Sequence, residues 1–339
     1  MNKQLQPGSL AVVIIGRNEG ERLTRCLRSV AAMKQSLGEF AVIYVDSNSG
    51  DDSVARARAA GACVLELSPG PTTAARGRNA GWRTTDATFI LFLDGDTVLH
   101  PEFLGKALAQ FHDSRTAVVW GHRRESAPKS SIYNRVLDLD WIYPAGVSEF
   151  CGGDALIRRD VLQEVGGYDE NLIAGEEPEM CRRITGRGYR IMHLDCPMTA
   201  HDLAMTSFRQ YWKRAMRAGF AYASVSERFR KSAAPLWRQE ARRNVRQATL
   251  LLSVPPLAVL LALRLESWIP VAVITFCLFL LMFRTARRSA WKCPREPFTT
   301  ILYSAHSHFQ QIPILMGQLK FYTARHREHR LMEYKEAPR

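Results

Sequence analysis

Short apolar runs alternate with segments of helical periodicity in the first third of the chain. Leu10–Ile15, Phe40–Val45 and Cys63–Leu67 are predicted strands, because an uninterrupted apolar run is typical of a strand buried on both faces. Leu23, Leu27 and Val30 stand at helical spacing after the first run, and a helix-like segment, Ser53–Ala60, follows the second. Strands that alternate with helices predict an α/β fold whose sheet is mostly parallel and whose crossovers are right-handed.

A fourth apolar run, Phe89–Leu93, stops at two closely spaced carboxylates, Asp94 and Asp96. The carboxyl ends of parallel strands meet at one edge of the sheet, where ligands collect. Glu19, Asp46 and Asp94 each follow a strand end, so we expect them to line one crevice. Hard divalent cations bind carboxylate and phosphate oxygens, so such an edge can hold a cation against a diphosphate. A solvated turn after a strand is the alternative interpretation.

A glycine pair and an acidic cluster lie further along the chain. Gly152 and Gly153 leave room for a sugar or a backbone to approach closely, although a tight turn explains them equally well. Glu176, Glu177 and Glu179 stand at a predicted helix start, where acids also complement the helix dipole. Crowding raises the proton affinity of one such acid, which suits a general base that accepts the proton of an attacking hydroxyl.

Four segments in a fixed order carry a resemblance to a known family. They are Ile14–Glu19, Val45–Asp51, Ala75–Gly81 and Phe92–Asp96. Together they resemble the inverting family-2 glycosyltransferases, and the similarity extends roughly from Leu10 to Asp202. The resemblance implies the GT-A fold, a Rossmann-like mixed sheet with helices on both faces that binds nucleotide sugars.

The resemblance also implies roles for matching residues. Contacts to the donor nucleotide sugar are expected from Arg17, Asn18, Glu19, Asp46, Asn48, Arg78, Asn79 and Asp94. Within that set, the carboxylate that follows the second strand is expected to recognise the nucleotide base. The acceptor side is expected at Gly152, Gly153 and Asp154.

The resemblance further predicts a metal site and a base. Asp96 is expected to bind Mg²⁺ or Mn²⁺, with Asp94 and His201 as further ligands; a structural histidine is the alternative interpretation. Glu177 is expected to be the catalytic base. It occupies a position where the family usually has aspartate, so Glu176 stays a second candidate.

Charge is distributed unevenly along the 339 residues. Residues 1–204 carry 23 Lys and Arg against 26 Asp and Glu, whereas residues 205–339 carry 23 against 7. A basic appendage on a mildly acidic enzyme indicates an anionic partner. The basic half also holds the most apolar segments, which favours anionic membrane lipids, and no nucleic acid is expected.

Two apolar segments, residues 248–263 and 267–283, lack any charged side chain. As helices they would be about 24–26 Å long, slightly shorter than a bilayer core of about 30 Å. Arginines flank the pair on both outer sides, which predicts a hairpin with both ends cytoplasmic. A re-entrant hairpin and a pair of buried soluble helices are the alternatives. We therefore predict a catalytic domain over residues 1–232 and a membrane-associated region over 233–339, which ends in an amphipathic helix within 298–322.

The predicted function is inverting transfer of a sugar from a nucleoside-diphosphate sugar to an acceptor hydroxyl. A lipid-linked or polysaccharide-precursor acceptor is expected, at the cytoplasmic membrane with the catalytic domain in the cytoplasm. Two other functions stay open: a sugar nucleotidyltransferase and a non-catalytic membrane scaffold that binds nucleotide sugars. The first would normally need a glycine-rich, basic phosphate loop near the start, which Gly16–Glu19 does not resemble.

Overall fold

The computed structural model describes residues 9–232 and 234–324. Within them the chain forms two compact units, one of residues 9–127 and 141–204 and the other of residues 128–140 and 205–324. This division differs from the boundary predicted at residue 232, because the segments 128–140 and 205–232 are grouped with the C-terminal helices. That the catalytic function ends at residue 232 stays a prediction.

The first unit is built on one mixed sheet of nine strands. The strands are β1 (Leu10–Gly16), β2 (Ala41–Asp46), β3 (Cys63–Glu66), β4 (Phe89–Asp94), β5 (Thr97–Leu99), β6 (Thr116–Glu125), β7 (Gly146–Ser148), β8 (Ala155–Arg158) and β9 (Arg190–His201). Their order is β3-β2-β1-β4-β8-β6-β9-β5, and β7 pairs with β9. β1 to β4 are mutually parallel, β8 runs antiparallel to β4 and β6, and β6 is parallel to β9.

The helices are numbered along the whole described chain. They are α1 (Glu21–Leu37), α2 (Ser53–Ala59), α3 (Ala74–Trp82), α4 (Phe103–Leu108), α5 (Ile132–Asp140), α6 (Arg159–Val165), α7 (Glu176–Thr185), α8 (Phe208–Arg228), α9 (Arg238–Arg264), α10 (Ile269–Ser289), α11 (Pro297–Phe309) and α12 (Gln311–Ala324). Short 3₁₀ turns follow α4 (Ala109–His112) and α10 (Ala290–Lys292). α5 and α8–α12 belong to the second unit.

The sheet and its helices confirm the predicted α/β fold with a mixed sheet, but four of the eight strand pairs are antiparallel, so the expectation of a mostly parallel sheet was wrong. The apolar residues of β1 and β4 are almost all fully buried, as expected for strands covered on both faces. Four strands, β5, β6, β7 and β8, were not predicted. We expected a strand-like segment at Tyr189–His193 with His201 after it, but β9 continues to His201. His201 therefore lies on a strand end, paired with Thr97 of β5, rather than after the strand.

The second unit is helical in the part that the structure describes. The apolar helices α9 and α10 are longer than the predicted segments, and Pro255 and Pro256 lie inside α9. Both helices are long and apolar enough to cross a membrane. The predicted amphipathic helix within 298–322 is two helices, because Pro313 lacks a backbone N–H and is tolerated only in a first helical turn. The basic tail from Arg325 to Arg330 lies outside the described residues.

Candidate active site

Three parallel strands of the first unit end at the same level. Gly16 at the end of β1 is paired with Asp46 of β2, and Ile15 is paired with Asp94 of β4. The backbone N–H of Gly95 donates a 2.8 Å hydrogen bond to the Ile15 carbonyl. The loops that follow these strands therefore meet at one edge of the sheet, as the sequence predicted.

The loops after β1 and β2 are tied to each other. Both Asn18 and Asn48 adopt positive φ angles, 56° and 63°, which asparagine tolerates better than most residues. The Asn18 side-chain oxygen accepts a hydrogen bond from the Gly50 N–H, and its backbone N–H donates to the Ser49 hydroxyl. Arg17 is half-buried beside Asn18 in the same loop. These contacts form a compact rim of polar groups.

Asp46 and Glu19 are the buried acids of the segments that form this rim. Asp46 is buried and accepts hydrogen bonds from the Tyr44 hydroxyl at 3.0 Å and from both the backbone and the hydroxyl of Ser49. Glu19 is also buried and pairs with Arg22 at 2.9 Å. A Cβ atom on Gly95 would lie 3.0 Å from the Glu19 Cγ and 3.2 Å from the Ile15 carbonyl oxygen, so a side chain between Asp94 and Asp96 would be crowded.

Arg78 is the hub of the site. Its side chain on α3 is only 2% exposed and forms ion pairs with Asp94 at 3.0 Å, Glu176 at 3.1 Å and Glu177 at 3.0 Å. The guanidinium also lies 5.5 Å from the centre of the Tyr168 ring. One buried cation thus holds the end of β4 against the first turn of α7. We expected a donor contact from Arg78, but its charge is directed at three carboxylates.

The glycine pair faces this hub. A Cβ atom on Gly153 would lie 2.6 Å from a terminal nitrogen of Arg78 and 3.0 Å from an oxygen of Asp94. The space that we expected for a sugar at Gly153 is therefore taken by Arg78 and Asp94. Gly152 is less crowded, because the atom nearest to a Cβ added there, in the Trp120 ring, would be 4.0 Å away. Gly152 therefore leaves more open space beside it than Gly153 does.

Asp94, Asp96 and His201 come together beside the hub. One potential ligand atom from each lies within 4.8 Å of the others, and the His201 Nε2 is 3.3 Å from an Asp96 oxygen. Two carboxylate oxygens and an imidazole nitrogen form a donor set that suits Mn²⁺ and accommodates Mg²⁺ less well. The residues predicted as metal ligands therefore fit a divalent cation.

Two other predicted contact residues are fully engaged within the protein. Asp154 is buried, and its oxygens accept from the Asp94 backbone N–H at 2.9 Å and the Thr199 hydroxyl at 2.7 Å. Asn79 donates to the Tyr168 carbonyl and to Glu170, and its oxygen accepts from the Trp82 indole and the Tyr168 N–H. Every polar atom of the two side chains therefore already has a hydrogen-bond partner within the protein.

Arg123 and Trp141 belong to the site but were missed in the sequence. Arg123 extends from β6 to within 3.2 Å of Asp94 and 3.7 Å of Asp154. Its guanidinium lies 5.0 Å from the centre of the Trp141 ring, and that ring packs edge-on against His201 at 5.0 Å. No local motif marks either residue, because β6 itself was not predicted. The arginine at the end of an apolar run, Ala117–Trp120, is the available signal.

Burial and charge shift the proton affinities of the acids in opposite directions. Burial raises the pKa of Glu177 to about 7, the negative charge of Glu176 adds to the shift, and Arg78 opposes it. Burial alone would raise the pKa of Asp94, but the charges of Arg78 and Arg123 outweigh it and lower that pKa below its ordinary value. A pKa near 7 is appropriate for a general base, whereas an ionised carboxylate is appropriate for cation binding.

The sequence matches two related family descriptions. Residues 11–166 match "Glycosyl transferase family 2", and residues 89–286, more than half of the chain, match "Glycosyl transferase family group 2". The chain belongs to the family-2 glycosyltransferases. The membership predicted from the four ordered segments is confirmed.

Curated relatives of this family-2 chain carry glycosyltransferase names. Pre-mycofactocin glycosyltransferase of Mycobacterium tuberculosis is 26% identical over 243 residues, which cover 67% of this chain and 49% of that protein. Glycosyltransferase AglE of Haloferax volcanii is 23% identical over 223 residues, which cover 62% of this chain and 71% of that protein. The chain thus spans about half the length of the mycobacterial relative.

A solved structure of another glycosyltransferase confirms the GT-A type of fold. Mannosyltransferase PcManGT from Pyrobaculum calidifontis, in complex with GDP-Man and Mn²⁺, superimposes with a TM-score of 0.64 at 15% identity. The similarity covers 92% of this chain and 87% of that one. At this identity the likeness concerns the fold.

Proposed function

We propose that this protein transfers a sugar from a nucleoside-diphosphate sugar to an acceptor hydroxyl, with inversion at the anomeric carbon. The observation that carries the proposal is the convergence on Arg78: one buried guanidinium joins Asp94, a member of the metal-compatible cluster, to the base candidates Glu176 and Glu177. A donor held at the cluster would have a base of suitable pKa next to it. Family membership supports the same chemistry.

The residues divide into three proposed roles. The rim formed by Arg17, Asn18, Glu19, Asp46 and Asn48 would bind the nucleotide. Asp96 and His201 would hold a divalent cation, with Asp94 completing the set, and such a cation supplies charge neutralisation for the leaving diphosphate.

The third role is base catalysis. Glu177 would accept the proton of the acceptor hydroxyl, and burial, together with the negative charge of Glu176, keeps the proton affinity of Glu177 high. The two oxygens of Asp94 face Arg78 and Arg123, so we assign the closest metal contacts to Asp96 and His201.

We propose further that the apolar hairpin spans a membrane. The helical stretch Ile269–Lys292 has none of its apolar window buried within the protein. Trp268 and Trp291, 68% and 53% exposed, mark its two ends. They are about 35 Å apart along a helix, the thickness of a bilayer core plus part of its interfaces, where tryptophan is enriched. A soluble buried pair is disfavoured by this exposure.

The orientation follows from the flanking charges. Arginines lie in the first turns of α9 and in the last turns of α10. Both outer ends of the hairpin are therefore proposed to lie on the cytoplasmic side, with anionic lipids as neighbours. The catalytic unit would then be cytoplasmic, at the surface of the cytoplasmic membrane. A lipid-linked or polysaccharide-precursor glycan is the proposed acceptor, because such an acceptor is confined to that surface.

The first test is donor binding and turnover by the detergent-purified protein. We expect one nucleotide sugar of a panel, with Mn²⁺ present, to raise the melting temperature, since ligand at about 100 times its Kd stabilises by about 2.7 kcal/mol. Turnover should release a nucleoside diphosphate. Release of pyrophosphate would instead identify a nucleotidyltransferase, and donor binding without hydrolysis or transfer would identify a scaffold. Near-normal transfer by folded Asp96→Ala and Glu177→Gln variants would refute the proposed mechanism.

The metal preference is a separate prediction. Because His201 contributes an imidazole nitrogen, we expect Mn²⁺ to stabilise the protein and to restore chelator-treated enzyme better than Mg²⁺. His201→Asn replaces the imidazole nitrogen ligand by an amide oxygen. The ratio of the Mn²⁺ affinity to the Mg²⁺ affinity should therefore fall roughly tenfold. Calorimetric titration of each ion into the metal-free protein measures this without relying on activity. An unchanged preference in the variant would remove His201 from the ligand set.

A further inference from the structure

Unpaired arginines gather at the open end of the helical hairpin. The connection of residues 265–268 is short, so α9 and α10 are antiparallel and the start of α9 lies at the same end as the finish of α10. Six arginines occupy this end: Arg242, Arg243, Arg246, Arg284, Arg287 and Arg288. Among the residues that the structure describes, none of the six has an ion-pair partner. Such an accumulation of uncompensated charge indicates an anionic ligand.

Half of these arginines line a cavity. Phe283, Arg284, Arg287 and Arg288 line a shallow surface cavity of about 430 Å³ that is open to solvent, on the last turns of α10. The Arg287 guanidinium lies 6.0 Å from the centre of the Phe283 ring, so the wall of the cavity is both cationic and aromatic. No Asp or Glu occurs between residues 267 and 295. The cavity therefore has no neighbouring acid on its own helix to neutralise it.

The apolar side of α10 continues from the cavity. Phe276, Phe279 and Phe283 are each more than half exposed, and Leu280 is 47% exposed. A ligand with an anionic head in the cavity and an apolar chain along these side chains would cover both surfaces. Lipids have this construction, whereas a free nucleotide or an inorganic anion would leave the aromatic face uncovered.

We propose that this cavity binds a lipid whose head is a terminal phosphate. A phosphate monoester carries a charge of about −1.5 to −2 and three terminal oxygens, against a single charge on a diester head group. Three guanidinium groups on adjacent helical turns can offer several charge-assisted hydrogen bonds to such a head group. The inference deepens the proposed function by naming the lipid class at the membrane region. It rests on the proposed membrane association and not on sugar transfer.

The competing explanation is a non-specific belt of positive charge. Arginines at the cytoplasmic end of a hairpin fix its orientation and attract any anionic lipid. The two explanations differ in what removal of charge does. Lipid binding by a non-specific belt depends on how many arginines are present, whereas lipid binding by a site depends on the arginines that line the cavity.

The test uses the full-length protein reconstituted into nanodiscs. One set contains phosphatidylcholine with roughly 10% phosphatidic acid, and the other contains roughly 20% phosphatidylglycerol, so that the surface charges match. Lipid that stays bound after gentle detergent extraction is counted by mass spectrometry. We expect phosphatidic acid to be retained about fivefold over phosphatidylglycerol, as charge-assisted contacts to a monoester would give.

Two triple variants decide between site and belt. Arg284→Gln, Arg287→Gln and Arg288→Gln together should abolish the fivefold preference. The matched triple at Arg242, Arg243 and Arg246 removes the same charge at the same end of the hairpin and should keep it. Equal retention of both lipids by the unmodified protein, or equal losses in the two variants, would overturn the proposal. Failure of the unmodified protein to incorporate into any bilayer would instead refute the proposed membrane association and leave the sugar-transfer proposal standing.

Discussion

Replacement of Glu177 by glutamine is expected to abolish sugar transfer and, at the same time, to stabilise the protein. Transfer should fall by about 10²–10⁴-fold, the usual contribution of a general base. The stabilisation follows from the raised pKa of Glu177, about 7 against an ordinary value of 4.5. Because the folded environment disfavours the ionised carboxylate, the folded state is destabilised at any pH at which that carboxylate is ionised.

The sign of this effect depends on pH. Between about pH 4.5 and 7 the folded protein binds the Glu177 proton more tightly than the unfolded chain, so the free energy of unfolding falls as the pH rises. Above about pH 7 the ionisation of Glu177 lowers the free energy of unfolding by its full amount, about 3 kcal/mol. Glutamine is neutral at every pH. The variant should therefore unfold several degrees higher than the parent protein near pH 8, and at a similar temperature near pH 5.

Thermal unfolding of the chelator-treated protein measures this difference. Glu39→Gln is the matched control, because Glu39 is 83% exposed and pairs only with Lys34, so its removal should change stability by less than about 0.5 kcal/mol at either pH. Equal melting temperatures of parent and Glu177→Gln near pH 8 would contradict the raised pKa. Loss of transfer in Glu176→Gln but not in Glu177→Gln would move the role of base to Glu176.

Local pattern was sufficient for much of the fold and for the edge where the site lies. β1, β2 and β4 are continuous apolar runs followed by polar residues, and each signal is complete within about ten residues of chain. The position of α7 was also predictable, since its acids and Pro178 mark a helix start. Because parallel strands share an edge, their following acids could be placed together without any knowledge of side-chain contacts.

Contacts between distant segments could not be predicted in the same way. Arg78 lies on α3, 98 residues from Glu176, and nothing in its local sequence indicates that it is buried. Arg123 was missed because β6 pairs with β8 and β9, both of which come later in the chain. Charged side chains are rarely buried unless they are paired, so their burial depends on the partners that the fold brings to them. Sequence patterns therefore indicated the acids of the candidate site and Arg78, but not the ion pairs that Arg78 forms with those acids, and they missed Arg123.

Arg78→Met is expected to produce the largest loss of stability in the first unit. The change leaves Asp94, Glu176 and Glu177 facing one another without the cation that joins them. Removal of one partner from a buried ion pair typically costs about 3–5 kcal/mol. The loss should be greater near pH 8 than near pH 5, because the acids can take up protons at the lower pH and relieve their repulsion.

Arg83→Met is the control, because Arg83 is the C-terminal cap residue of the same helix, is 51% exposed and pairs with Glu170 on the surface. Its melting temperature should stay within about 2 °C of the parent at both pH values. If Arg78→Met does not fold near pH 8, Arg78→Lys provides the measurement, since one ammonium keeps the charge but cannot bridge three carboxylates as a guanidinium does. Addition of Glu177→Gln to Arg78→Met should restore part of the lost stability, because it removes one of the repelling charges. A loss that is the same at both pH values, or that Glu177→Gln does not relieve, would show that Arg78 stabilises the protein through packing and not by balancing the acids of the site.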